Sequence, residues 1–119
     1  MDAISRGGYR ARELYLMLRE RIEVCERSNG DRFEERVMKY WISVRSIKKG
    51  KVFVEIRLQK SDIDIFILPS FDQLKDPEGL AQPVPLNQGR GWFRTRFWLR
   101  EEEQVDSAWR LIQQSYLVA

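Results

Sequence analysis

Histidine is absent from the 119 residues of this chain, and cysteine occurs once, as Cys25. The zinc sites that proteins build from cysteine and histidine therefore cannot be assembled here, and an intramolecular disulfide is excluded. Histidine is also the commonest general base at neutral pH, so Ser-His and Cys-His nucleophile pairs are excluded as well. We expect no metal site and no cofactor.

Long apolar segments are absent too. No run approaches the roughly 20 apolar residues that a membrane-spanning helix needs, and the first residues lack the apolar centre of a signal peptide. A composition of 43% apolar and 33% charged residues is typical of a folded globular protein, and the length suits one domain over residues 1–119. We therefore predict a single-domain cytoplasmic protein with no membrane partner.

Positive charge is concentrated locally rather than high overall. The chain has 21 basic and 18 acidic residues, for a net charge of +3. The stretch Arg90–Arg100 nevertheless holds four arginines and no acidic residue, and the acidic block Glu101–Glu103 follows it at once. Such asymmetry is compatible with a polyanionic partner, although it is also common in proteins that bind none.

Two amphipathic helices are predicted near the two ends of the sequence. Apolar residues recur at spacings of three and four over about Tyr9–Arg27, and "SNG" at Ser28–Gly30 is a typical helix end. The charged segment "DRFEERVM" after it is predicted to be a connection. The segment "EEEQVDSAWRLIQQSYLV" (Glu101–Val118) predicts the second helix, with its glutamates at the positive end of the helix dipole.

Between these helices the sequence predicts four strands. "KYWISVRS" predicts the first, ending near Arg45, and "VFVEIRLQ" predicts the second. In the third, "DIDIFIL", the three isoleucines alternate with Asp62, Asp64 and Phe66, which we assign to a solvated face. A loop with all four prolines separates it from a fourth strand within "LNQGRGWFRTRFWLR".

The order of elements is helix, three strands, long loop, strand and helix. It predicts an α+β two-layer sandwich with a four-stranded antiparallel sheet and the N- and C-terminal helices on one face. The other face of the sheet would then be open to solvent or to a partner.

The fourth strand supplies the main candidate site. Alternation places Phe93, Thr95, Phe97 and Leu99 on the core face of this strand. Its outer face and the preceding residue give the candidate binding residues Arg90, Trp92, Arg94, Arg96, Trp98 and Arg100. If the other strands are neighbours, the face extends to Lys39, Trp41, Arg45 and Arg57.

Three interpretations of these residues stay open. They form an ordinary solvated face on which tryptophans cover arginine stems. Alternatively, they bind nucleic acid, because arginines neutralise phosphates and exposed rings stack on unpaired bases. The third interpretation is a protein interface or a homodimer contact that uses the same aromatic residues.

Catalysis has a weaker basis in the sequence. The spacing of Glu55 and Arg57 weakly resembles the acid-x-lysine motif of restriction-type nucleases, but the preceding strand offers no second carboxylate that could bind a metal. The alternation with isoleucines accounts for Asp62 and Asp64 without a catalytic role. We therefore predict a protein that is not an enzyme, with a metal-dependent, nuclease-like hydrolase as the alternative. In "DPEGL" we expect Asp76 to cap a tight turn.

Three segments resemble a known bacterial family. "FVEIRLQK", "DIDIFILPSFDQLKDPEGLAQPV" and "VDSAWRLIQQSY" are similar to domain of unknown function 5655, often labelled "predicted transport protein". The resemblance covers about Met38–Tyr116. Its most specific positions are Phe71, Leu74, Asp76, Pro77, Gly79, Leu80, Ala81 and Val84.

The resemblance implies an uncharacterised accessory or binding module, since members of this family accompany nuclease-like domains of restriction or defence proteins. It implies no established activity. Where the family tends to have a histidine-containing motif with acidic residues, this chain has "NQGRGWFRTRF", with Arg94 and Arg96 near the acidic positions. Gln82 and Pro83 likewise replace an arginine and an aspartate. Any role of those family residues is therefore not expected here.

Overall fold

The computed structural model describes residues 1–85 and 91–119. Within these residues, helices α1 (Tyr9–Ser28) and α2 (Val105–Val118) lie near the two ends of the chain. The described strands are β1 (Phe33–Val37), β2 (Ile42–Ser46), β3 (Lys51–Leu58), β4 (Ile63–Ile67), β5 (Ala81–Pro83) and β6 (Thr95–Leu99). The predicted α+β class with a helix near each end is confirmed, whereas the predicted count of four strands is wrong, because the sheet has six.

The strands form one antiparallel sheet in the order β1-β2-β3-β4-β6-β5. Helices α1 and α2 pack on each other, and both contact β3 and β4, so they share one face of the sheet. Between the layers lies a core in which Leu14, Leu18 and Ile112 are fully buried together with Ile65 and Phe97. No helix in the described part of the chain is both long enough and apolar enough to cross a membrane.

Strands β1 and β5, the two edges of the sheet, are the strands that the sequence did not predict. β1, "FEERV", has three charged residues among five. An edge strand with one solvent-exposed face tolerates such a composition. β5 is only three residues long and ends at Pro83, inside the segment predicted as a loop. Proline is tolerated there because an edge strand needs donors on one side only.

Two predicted strands are shorter than expected. The first begins at Ile42, so Lys39 and Trp41 lie in the turn between β1 and β2 rather than on a strand. The fourth covers only Thr95–Leu99, and Trp92 lies in a turn before it. Phe97 and Leu99 are in the core as predicted, but Phe93, although buried, lies outside the core cluster.

Strand β4 has the predicted alternation, but its second face is not solvated. Asp64 and Phe66 are each only 4% exposed. The ring of Trp41 meets Phe66 edge-on at 5.3 Å between centroids, and the side chain of Arg96 lies against both Phe66 and Asp64. Long amphipathic side chains thus cover this part of the sheet where no helix does.

A buried carboxylate, Asp31, links α2 to β2 on the face of the sheet that the helices cover. Its Oδ2 accepts hydrogen bonds from the hydroxyl groups of Ser46 and Tyr116, the latter at 2.8 Å. Its Oδ1 accepts from the backbone amides of Arg32 at 2.6 Å and Lys48 at 3.0 Å. Burial alone would raise the pKa of Asp31, but these donors outweigh it and lower the pKa to about 2.

The turn in "DPEGL" is confirmed. The two carboxylate oxygens of Asp76 accept the amides of Leu80 and Ala81 at 3.0 and 2.8 Å. Gly79 has φ of 66°, in the left-handed region where glycine is favoured, and its amide reaches the Asp76 carbonyl. Asp76 is therefore occupied in holding this turn and the start of β5.

Candidate functional site

The candidate site is the helix-free face, the side of the sheet opposite α1 and α2. The strand registers place on it Glu34, Arg36, Ser43, Arg45, Glu55, Arg57, Asp64, Phe66, Gln82, Arg96 and Trp98. Arg36, Arg45 and Arg57 are exposed on this face, whereas Asp64 and Phe66 are buried at its centre. Exposed arginines on β1 to β3, interspersed with Glu34 and Glu55, thus lie on one side of a covered centre.

An ion pair between Arg96 and Asp64 occupies that centre. The Nη2 atom of Arg96 lies 2.7 Å from Oδ2 of Asp64, and their side chains are 21% and 5% exposed. The guanidinium carbon of Arg96 is also 4.9 Å from the ring centroid of Phe66 and 4.5 Å from that of Trp98. The cation is therefore held by one carboxylate and two aromatic rings.

The pair is incompletely satisfied. Oδ1 of Asp64 and Nε of Arg96 are both buried and have no hydrogen-bond partner among the described residues. Burial raises the pKa of Asp64, and the Arg96 guanidinium offsets only part of that effect. Arg96 is thus needed to compensate a buried charge, which makes it a structural residue as well as a candidate contact.

The other arginines of the fourth predicted strand are more accessible. Arg100 lies over the ring of Trp98 at 5.2 Å, and its Nε is 3.5 Å from a carboxylate oxygen of Asp62. Arg94 is exposed and forms no ion pair with a described residue. Arg90, also predicted for this site, lies outside the described residues.

One end of the helix-free face opens into a groove of about 510 Å³, here called the Trp92 groove, lined by Arg45, Gly50, Lys51, Val52, Glu55, Gly91, Trp92 and Phe93. Trp92 is 76% exposed, so most of its ring is in contact with water. The buried Phe93 beside it supports this groove instead of the core. An indole exposed next to Arg45 and Lys51 combines a stacking surface with positive charge.

The opposite end of β3 carries a second basic cluster, the basic corner, formed by Arg6, Lys39, Tyr40, Arg57 and Lys60. Arg6 and Lys39 lie over the ring of Tyr40 at 4.4 and 5.4 Å. Arg6, Tyr40, Arg57 and Lys60 line a groove of about 430 Å³ in which no described residue is acidic.

The basic corner is close to one buried carboxylate, Asp64, which lies opposite Arg57 across β3 and β4. None of its four cations forms an ion pair with a described residue. Arg57 instead lies 5.9 Å from the ring centroid of its neighbour Trp41. Three of these cations lie near the rings of Tyr40 and Trp41, and the cluster of four cations attracts anions.

Glycine allows the basic corner to form at the start of α1. A Cβ atom on Gly8 would lie 1.9 Å from the carbonyl oxygen of Lys60, so only glycine allows this approach. The Gly8 amide donates to the Gln59 carbonyl at 2.9 Å, which fixes the N-terminal segment against the turn after β3. Arg6 and Lys60 are thereby brought to the same groove.

The carboxylates considered for catalysis are used in other contacts. Asp64 pairs with Arg96, and Asp62 faces Arg100. Across β3 and β4, Glu55 is opposite Phe66 rather than opposite either aspartate. Within residues 1–85 and 91–119, no group of three or more acidic or cysteine side chains is arranged to hold a metal ion.

The structure brings together some predicted residues and separates others. Arg96, Trp98 and Arg100 form one contact group, and Trp92 belongs to a groove with Arg45. β4 separates β3 from β6, so Arg57 does not adjoin the fourth predicted strand and instead lines the groove of the basic corner, where Lys39 lies over Tyr40.

The sequence did not predict Arg6, Tyr40 and Lys60 as site residues. They come from three separate connections, and no local pattern unites them. The dipeptide Gly7-Gly8 before α1 was the one available signal, since paired glycines indicate a close backbone approach.

No protein-family model, curated protein or solved structure matches this chain. The resemblance to domain of unknown function 5655 therefore stays a prediction, and the site has to be interpreted from its own chemistry.

Proposed function

We propose that the protein is a non-enzymatic binding module whose helix-free face contacts nucleic acid. The observation that carries the proposal is the basic corner, where four exposed cations that form no ion pair with a described residue lie near Tyr40 and Trp41. Phosphate groups are the natural partners of such a cluster, because binding them releases counterions and compensates the charge.

The Trp92 groove favours the binding of a single-stranded nucleic acid over that of a duplex. Bases of a single strand are free to stack on an exposed indole, whereas bases of a duplex are already stacked. The basic corner and the Trp92 groove lie towards opposite ends of β3, an eight-residue strand about 24 Å long at the usual rise of a strand. A single strand along the face would then meet cations at both ends.

The resemblance to domain of unknown function 5655 supports a role for this binding as an accessory to a nuclease. An accessory module beside a restriction or defence nuclease would have use for sequence-tolerant binding to exposed strands. Electrostatic contacts and stacking provide such binding without base-edge recognition.

The proposal is tested by fluorescence anisotropy with labelled single-stranded and duplex oligonucleotides between about 50 and 200 mM salt. Arg57→Ala with Lys60→Ala removes two cations of the basic corner, and the slope of log K against log salt should fall in magnitude by about 1.4 to 1.8. Trp92→Ala should cost about 1 to 3 kcal/mol on the single strand and less on the duplex. Arg96 is unsuitable for this test, because its loss would leave Asp64 as a buried charge without a compensating cation.

A matched control uses two arginines on the outer surfaces of the helices, Arg27→Ala with Arg110→Ala, which lowers the net charge equally. Its affinity should stay close to that of the wild type. Absence of binding at low salt, or an equal loss in the control, would contradict the proposal.

A protein partner or homodimer contact at the same aromatic residues is the second candidate, favoured by the 76% exposure of Trp92. Large exposed rings are enriched at the centres of protein interfaces. In this case neither the wild type nor the variant would bind oligonucleotides. Trp92→Ala would instead change the molecular mass of the assembly or the protein partner that is captured.

A further inference from the structure

We propose that strand β1 is a homodimer interface, in which it pairs antiparallel with β1 of a second copy about a two-fold axis at Glu35. The two sheets would then join into one sheet of twelve strands. This surface is separate from the Trp92 groove and the basic corner, and the proposal does not depend on nucleic-acid binding.

The outer edge of β1 has free backbone groups. Ile47 donates its amide to the Arg32 carbonyl, and Met38 donates its amide to the Trp41 carbonyl, so the even-numbered residues between them bond towards β2. The amides and carbonyls of Phe33, Glu35 and Val37 therefore point away from the sheet. Among these groups, the Phe33 amide alone has a partner within the described part of the chain, the carboxylate of Glu26.

The other edge of the sheet is blocked. β5 has three residues, ends at Pro83 and is followed by Pro85, and neither proline has an amide to donate. β1 has five residues and no proline. Of the two edges of this sheet, β1 is the one suited to strand addition.

The charges of β1 select a second copy in one register. Antiparallel pairing centred on Glu35 places Glu34 opposite Arg36 of the second copy, and Arg36 opposite its Glu34. Both pairs lie on the helix-free face, where directly opposed charges of opposite sign stabilise strand pairing. A shift by one residue would put side chains on the wrong faces, so this register is favoured.

The central Glu35 does not prevent this pairing. Two copies of Glu35 would meet at the axis, but each carboxylate already has a cation, the Nε of Arg19 at 3.1 Å, which is closer to Glu35 than to its other partner Glu23 at 3.8 Å. The remaining pair, Phe33 with Val37, is apolar and lies on the helix side of the sheet. Charges on an edge strand usually oppose pairing, and here their order makes them self-complementary.

Sedimentation velocity or light scattering across a dilution series tests the proposal by charge exchange. Glu34→Arg alone opposes arginine to arginine, and Arg36→Glu alone opposes glutamate to glutamate. Each single variant should weaken the dimer about tenfold or more. The combined variant Glu34→Arg with Arg36→Glu restores opposite charges and should dimerise like the wild type.

The rescue separates pairing from misfolding, since circular dichroism should report the same fold for all four proteins. Arg32→Glu, an exposed charge reversal just before β1, is the control and should leave the dimer intact. A wild-type protein that stays monomeric at the highest concentration, or single variants that dimerise normally, would overturn the proposal.

Discussion

Two buried aspartates, one on each side of the sheet, show how differently the two faces are built. Asp31 lies on the helix side and accepts four hydrogen bonds, two from hydroxyl groups and two from backbone amides. Asp64 lies on the helix-free face, and its ion pair with Arg96 leaves one carboxylate oxygen without a partner among the described residues.

The pKa values of the two groups shift in opposite directions. The donors around Asp31 lower its pKa to about 2 despite burial, whereas burial raises the pKa of Asp64. A fully satisfied carboxylate stabilises the fold, and a partly satisfied one costs free energy that other features must offset. Asp31 therefore holds the architecture, while Asp64 fixes Arg96 and, through it, the rings of Phe66 and Trp98 that Arg96 contacts.

The largest expected effect comes from removing the satisfied group. Asp31→Ala leaves the buried hydroxyl groups of Ser46 and Tyr116 without their acceptor and detaches the end of α2 from β2. The free energy of unfolding should fall by about 3 kcal/mol. Urea denaturation followed by circular dichroism measures it, and a loss below about 1 kcal/mol would contradict the role assigned to Asp31.

The next effect is on the other face. Arg96→Ala leaves Asp64 as a buried carboxylate without a cation, and removes the contacts with Phe66 and Trp98. The free energy of unfolding should fall by about 2 kcal/mol, less than for a fully buried pair because Arg96 is partly exposed.

Arg94→Ala, an exposed arginine two residues earlier, is the matched control and should change stability by about 0.5 kcal/mol or less. Adding Asp64→Asn to Arg96→Ala removes the buried charge and should recover part of the loss. If the double variant were no more stable than Arg96→Ala alone, the account of this ion pair would be wrong.

The dependence of stability on pH also separates the two aspartates, because their contributions should differ in sign. Because the pKa of Asp31 is lowered, its contribution is present above about pH 4 and is lost as the pH falls towards 2. Because the pKa of Asp64 is raised, its contribution is present below about pH 4 and is lost as the pH rises through the folded-state value.

Denaturation curves for Asp31→Asn and Asp64→Asn between pH 2 and 7 separate these contributions. Asp31→Asn should flatten the acid limb, and Asp64→Asn should flatten the decline above about pH 4. Parallel curves for both variants would show that the two sites do not differ as described.

Sequence patterns predicted the elements that have clear periodicity. The alternation of isoleucines in β4 and the apolar stripes of both helices come from burial on one face, so local spacing was sufficient. β1 was not predictable in the same way, because its wet edge position allows "FEERV", which has the composition of a loop. β5 was not predicted, because it is only three residues long and ends at a proline.

The candidate site was less predictable, because its contacts join distant parts of the chain. Alternation assigned Asp64 and Phe66 to solvent, yet Arg96, Trp41 and Trp98 cover them from other strands and turns. The basic corner likewise depends on the close approach of Gly8 to Lys60. Spacing along one strand carries no information on such contacts between elements.

Hydrogen–deuterium exchange of the protein, alone and saturated with a single-stranded oligonucleotide, tests the central claim most directly. We predict new protection in segments of the basic corner and the Trp92 groove, including residues 38–41, 57–61 and 91–94, with the outer surfaces of α1 and α2 unchanged. Protection confined to the helices, or none at saturation, would contradict the assignment of the helix-free face as the binding surface.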